Sequence, residues 1–183
     1  MSQGLTFSQT VNKLFFGVDV SDNASSLFDG LLSIPQLRHH HNGARQWNLN
    51  VTIEMKSEKA WSSRHEFTFT QSPVTDLNIE QGIIEVRIGE TDSTKKLLDI
   101  YWKLQFDSRD SASKYFEKLK QIFGDISTKK KFDFDKDVGD IAQFSARKRG
   151  DKGVNDITLF LNQWPGSTKY EIVLVLGNEL TDE

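Results

Sequence analysis

Apolar and polar residues alternate along several stretches of the chain. Leu14, Phe16, Val18 and Val20 alternate with Phe15, Gly17 and Asp19, and Ile100, Trp102, Leu104 and Phe106 alternate with Tyr101, Lys103, Gln105 and Asp107. A period of two puts one set of side chains on one face, so each stretch is predicted as a strand with one buried side. The pattern then changes to a spacing of three and four. Ala24, Leu27, Phe28, Leu31 and Ile34 form one apolar stripe, and Ala112, Tyr115, Phe116, Leu119, Ile122 and Phe123 form another, which predicts two helices. Asp22 and Asp110 are the predicted N-caps, because a short carboxylate accepts hydrogen bonds from the first free amides, and Pro35 and Gly124 are the predicted stops. Three strands are predicted after each helix: 47 to 55, 66 to 71 and 83 to 89, then 141 to 148, 156 to 162 and 170 to 177.

The two series resemble each other in sequence as well as in pattern. Asp19, Asp22, Ala24, Ser25, Phe28, Leu31 and Ile34 recur 88 positions later as Asp107, Asp110, Ala112, Ser113, Phe116, Leu119 and Ile122. About one chance identity is expected over such a stretch. The same offset aligns Ile84, Val86, Ile88 and Gly89 with Ile172, Leu174, Leu176 and Gly177. The fold class expected is therefore α+β: an internal duplication of a β-α-β-β-β unit, with copies at 12–90 and 96–178 in a single body spanning 1–183. Antiparallel sheets, two or one continuous, carry one helix per copy on one face, with pseudo-twofold symmetry. The stretch from Glu171 to Leu176 is apolar on both sides and is expected at the centre or in the contact between copies. In layout this resembles the duplicated two-layer arrangement of β-lactamase inhibitor proteins and duplicated effector-binding barrels, a likeness of architecture that carries no function.

Composition narrows the classes of function. The chain has 183 residues, 37% hydrophobic and 27% charged, with net charge −3, which points to a packed core and gives no electrostatic reason to expect a nucleic-acid partner. No apolar run approaches a membrane span. The start, from Met1 to Thr6, shows neither the basic nor the apolar region of a secretory signal; an exported or periplasmic protein with a trimmed N-terminus would look the same, so the compartment stays open. Cysteine is absent, which removes disulfides, thiolate metal sites and a cysteine nucleophile.

Candidate chemistry is sparse. His39, His40 and His41 are consecutive, so they cannot all face one ion from a regular element; His39 and His41 with His65 are weak candidates, and no metal or other cofactor is expected. The acidic run from Asp133 to Asp140 lacks the glycine and glutamate of a calcium-binding EF-hand loop and is expected to be a polar connection. Arg147, Lys148, Arg149 and Lys152 are expected at a solvated hairpin tip. No nucleophile elbow, phosphate loop or dinucleotide fingerprint occurs, and the matched Asp19 and Asp107 are expected to serve turns rather than acid chemistry.

Aromatic residues at turns are the better lead. Trp61 and Trp164 lie among polar residues in expected hairpins, where a large ring is costly to leave wet. The expectation is a non-enzymatic interaction module of bacterial type that engages a protein partner through a sheet face or through these aromatics. The alternative is a small-ligand carrier or sensor with a pocket between the copies, lined by Phe15, Tyr101 and Trp102; a metal-dependent enzyme using the histidines comes third. An open aromatic face, a deep apolar cleft or converging histidines would distinguish them.

Overall fold

Thr6 and Gln9 start the first element. The Thr6 hydroxyl accepts from the Gln9 amide at 3.2 Å and the Gln9 side chain accepts from the Thr6 amide at 2.9 Å, a reciprocal cap on helix α1, Phe7–Leu14. Phe7, Thr10, Val11 and Leu14 make its buried stripe. This overturns the strand expected from Leu14 to Val20: Leu14 closes a helix and Phe15 to Gly17 form a turn, with Phe16 and Gly17 at positive φ. Both Leu14 and Phe15 are buried, which an alternating strand does not allow. The computed structural model describes residues 5–21, 24–47, 60–90, 95–146 and 154–176, with the side chains at 24, 42–47, 60–62, 90 and 95–98 outside the description.

Helix α2, Ala24–Leu32, buries Leu27 and Leu31. Strands β1 Arg38–Trp47, β2 Ala60–Phe69, β3 Gln81–Glu90 and β4 Lys95–Phe106 follow as an antiparallel meander. Helix α3, Arg109–Ile126, buries Ala112, Tyr115, Phe116, Leu119 and Phe123, the predicted stripe but for Ile122, which is only half-buried. Its N-cap is Ser108 rather than Asp110, which sits in the first turn, and it runs through Gly124 to a cap at Ser127, whose hydroxyl donates to the Phe123 carbonyl at 2.6 Å. Asp22 lies outside the described residues. A second meander follows: β5 Lys129–Asp135, β6 Gly139–Ser145, β7 Asp156–Asn162 and β8 Tyr170–Leu176.

The chain is thus α+β, with one antiparallel sheet of order β1-β2-β3-β4-β8-β7-β6-β5. The order is the same read inward from either edge: a helix leads into four strands, and the fourth strands β4 and β8 meet at the centre. The expected β-α-β-β-β order is corrected on three points. Among the described residues no strand precedes α2, and the acidic stretch after α3 is the strand β5 and its hairpin rather than a connection. Strand β4, expected to open the second copy, closes the first meander, so that the 88-residue offset lays β3 on β8 whereas the sheet order makes β4 the counterpart of β8. The consecutive histidines also lie in a strand, β1, rather than in a loop.

Register sorts the residues into two faces. On the helix side one row runs across the whole sheet: His39, Phe67, Ile84, Trp102, Leu174, Leu159, Ala142 and Phe132. Its six inner members are buried, so the core lies between this face and the helices. Strand β8 is apolar on both sides, with Ile172 and Leu174 in the core and Val173 buried on the opposite face, as expected of a central strand.

Candidate functional site

The face opposite the helices carries the neighbouring rows. Arg64 and Arg87 lie at one end; then come Glu66, Glu85, Tyr101, Val175 and Thr158, and next to them Thr68, Ile83, Lys103, Val173, Phe160 and Ile141. Strand alternation puts all of these on one side of the sheet. The mixture is unusual for a wetted face, because Val173, Phe160 and Ile141 make an apolar strip across β8, β7 and β6, which Lys103 on β4 separates from Ile83 on β3.

At the first half's end of this face sits a buried carboxylate. Glu85 is 1% exposed, and it accepts from Lys103 Nζ at 2.8 Å, Arg64 at 2.9 Å and Arg87 Nε at 3.3 Å. Burial pushes its carboxyl up, but the Lys103 hydrogen bond and the charges of Lys103, Arg64 and Arg87 outweigh burial and hold it below the usual glutamate range. The same cations flank an aromatic ring, with Lys103 Nζ 5.4 Å and the Arg87 guanidinium carbon 6.0 Å from the Tyr101 centroid.

Trp164 closes the other side. It begins the turn Trp164-Pro165-Gly166-Ser167, in which Pro165 supplies a fixed φ and Gly166 takes φ 80°, and the Ser167 amide donates to the Trp164 carbonyl at 2.9 Å. The indole is 47% exposed. Its Nε1 donates to Glu171 at 2.8 Å, and the other oxygen of Glu171 accepts from Gln105 Nε2 at 2.8 Å, so the ring is tied to the central strands. Trp164, Tyr101, Arg64, Arg87, Lys103 and Glu85 line one open depression of about 260 Å³ that spans β2, β3, β4 and β8. A larger groove of about 720 Å³ lies between the 72–77 loop and α3. Charged side chains line it, among them Lys13, Asp76, Lys114 and Glu117, while its Ser72 serves the fold: the hydroxyl bonds the buried Tyr115 hydroxyl and accepts from the Val74 and Thr75 amides.

The candidate residues therefore divide. Tyr101 and Trp164 come together in one depression. Phe15 does not join them: it is 0% exposed, part of the core beside α1, and Trp102 is equally enclosed, so the expected pocket lined by Phe15, Tyr101 and Trp102 does not form. Trp61 lies within β2, opposite Gln46 and Glu90, rather than in a hairpin, and its side chain is outside the description. His39 and His65 meet at 3.1 Å between Nε2 and Nδ1, His41 stacks on His65 with centroids 4.8 Å apart, and Phe28 packs edge-on against the pair. The rings stack, and among the described residues no group of three histidine or acidic side chains is placed to hold a metal ion. Asp19 accepts from the amide and hydroxyl of Ser21, while Asp107 bonds Lys169, so the matched aspartates serve different local contacts. The basic residues 147–149 and 152 lie outside the described residues.

Sequence reasoning missed Glu85 and its cations, which read as ordinary members of a polar face. The only available signal was their alternation with Ile84, Val86 and Trp102; which polar residues become neighbours depends on strand register. No helix among the described residues is long and apolar enough to cross a membrane. Compared with protein-family models, with curated proteins and with solved structures, the chain matches none.

Proposed function

We propose that the protein is a non-enzymatic interaction module that receives a protein partner on the open face of its sheet. The observation behind this reading is the half-exposed Trp164, pinned by Glu171 beside Tyr101 and next to the apolar strip of Val173, Phe160 and Ile141. Rigid aromatic anchors bordered by ordered charge are what a protein interface uses for affinity and orientation. The smaller alternative, a ligand held in the depression itself, is favoured by the convergence of Arg64, Arg87 and Lys103, but about 260 Å³ is below the usual size of a pocket that encloses one. The two halves, each a helix followed by a four-stranded meander, are read as copies of one ancestral unit, supported by the α2 and α3 identities.

The test is immobilised protein exposed to an extract of the source cells, with the native chain beside Trp164→Ala/Tyr101→Ala. A protein retained by the native chain and lost with the double variant, while the double variant still unfolds cooperatively well above the temperature of the assay, supports the reading. Equal retention, or none, removes it. Native mass spectrometry of the purified protein showing a stoichiometric small molecule would favour the alternative.

A further inference from the structure

We propose that β5 is a dimerisation edge, pairing antiparallel with the β5 of a second copy about a twofold axis at Phe132. The strand ends the sheet, and all seven of its residues are exposed. They include two large rings on the helix side, Phe132 at 52% and Phe134 at 64% exposure. Phe132 packs against Phe144 at 5.9 Å between centroids and beneath Lys120 Nζ at 4.7 Å, leaving half of its surface open.

The strand is self-complementary in one orientation. It reads Lys129-Lys130-Lys131-Phe132-Asp133-Phe134-Asp135, lysines first and aspartates after. Antiparallel pairing centred on Phe132 sets Lys131 opposite Asp133 of the second copy and Lys129 opposite its Asp135, all on the open-face side. On the helix side Phe132 meets its own equivalent, and Lys130 lies opposite Phe134. Opposite charges and aromatic pairs directly across a ladder stabilise it, and like charges there destabilise it. Other registers lose this match. In-register parallel pairing sets lysine on lysine and aspartate on aspartate, and sliding the axis to Lys131 or Asp133 puts a like-charged pair on the axis itself. A shift of one residue turns the rings to the wrong face.

Edge lysines ordinarily block strand addition. Here the aspartates further along the same strand make the lysines selective for one partner, a second copy. The opposite edge lacks this property: β1 contains no acidic residue and breaks register between His41 and Ala44. A twofold contact at one edge closes as a dimer and does not propagate. The ladder involves seven residues a side, fewer than the ~20–30 of a standard interface, so a dissociation constant between about 1 µM and 1 mM is expected, weakening with salt.

The test is sedimentation velocity of the native chain from about 10 µM to about 1 mM at low salt, beside Lys131→Asp, Asp133→Lys and the double exchange. Circular dichroism and unfolding midpoints are measured first, and the exposed positions predict little change. The native chain should dimerise, each single variant should weaken the dimer at least tenfold, and the double exchange should restore it. An equimolar mixture of the two single variants should form the heterodimer that neither forms alone. A native chain monomeric throughout the range, single variants that dimerise like the native chain, or a folded double exchange that stays monomeric would each overturn the proposal.

Discussion

Replacing Glu85 by glutamine removes one negative charge from beneath three cations while keeping the shape of the side chain. In the native protein this carboxylate is nearly fully buried and accepts from Lys103, Arg64 and Arg87. Removing one member of a fully buried ion pair costs about 3–5 kcal/mol, whereas exposed pairs contribute about 0–1 kcal/mol. Here the acid is buried, but the Arg64 and Arg87 side chains are nearly half exposed and can turn to water. The expected loss lies between these limits, at about 2 kcal/mol near pH 7, or roughly 4–8 °C in melting temperature for a chain of this size. The pH dependence supplies the stricter test. Because the folded pKa of Glu85 is lowered, its contribution is complete above the unfolded pKa and is lost as pH falls through that value to the folded one. The difference between native protein and Glu85→Gln should therefore be full at pH 7 and shrink below pH ~4. Urea unfolding followed by circular dichroism across this range measures both. Equal stability at pH 7, or a gap that persists undiminished at low pH, would refute the argument.

The core and the candidate site should respond differently to truncation: Phe15→Ala should cost about 3–5 kcal/mol in denaturant unfolding, and Trp164→Ala about 1 kcal/mol or less. Gly139 has φ 94°, and an added Cβ would press on the Leu161 carbonyl oxygen, whereas Gly166, at φ 80°, opens on empty space. Gly139→Ala should accordingly cost more than about 2 kcal/mol and Gly166→Ala about 1 kcal/mol, read as shifts in urea midpoint. Burial, then the neighbouring His41 and His40, lowers the pKa of His39, so the folded protein resists its protonation. Stability should then fall as pH drops through the unfolded value of ~6.5 toward the lower folded one, and His39→Phe should flatten that part of the profile.

What could be read from the chain was whatever a single element decides for itself. The α3 stripe and the span Asp156–Asn162 needed only their own periodicity, and the two-sided apolar character of β8 announced its central place. Helix α1 was hidden because Leu14, Phe16, Val18 and Val20 mimic a strand, while the decisive signal, Thr6 with Gln9, lay outside that window. Strand β5 was missed because an edge strand with every residue exposed has no need of an apolar face, and its charges read as a loop. Tyr101 and Trp164 were recognisable as large rings out of place among polar neighbours. The Glu85 cluster was not, since its members come from β2, β3 and β4 and become neighbours only through register.

The meeting of β4 and β8 at the middle of the sheet also bears on how the chain reaches this state. Every other strand pair joins neighbours in sequence, so each closes by a local turn or loop, whereas Tyr101 finds Val175 only after α3, β5, β6 and β7 have been passed. Joining distant segments carries the larger loop-closure entropy and slows folding. The central seam is therefore expected to form last, after the two meanders. Until it forms, Trp102 lacks its cross-strand neighbour Leu174, and the unpaired edges of β4 and β8 are exposed to other molecules. A chain stalled at that stage carries two adhesive edges that the finished protein hides.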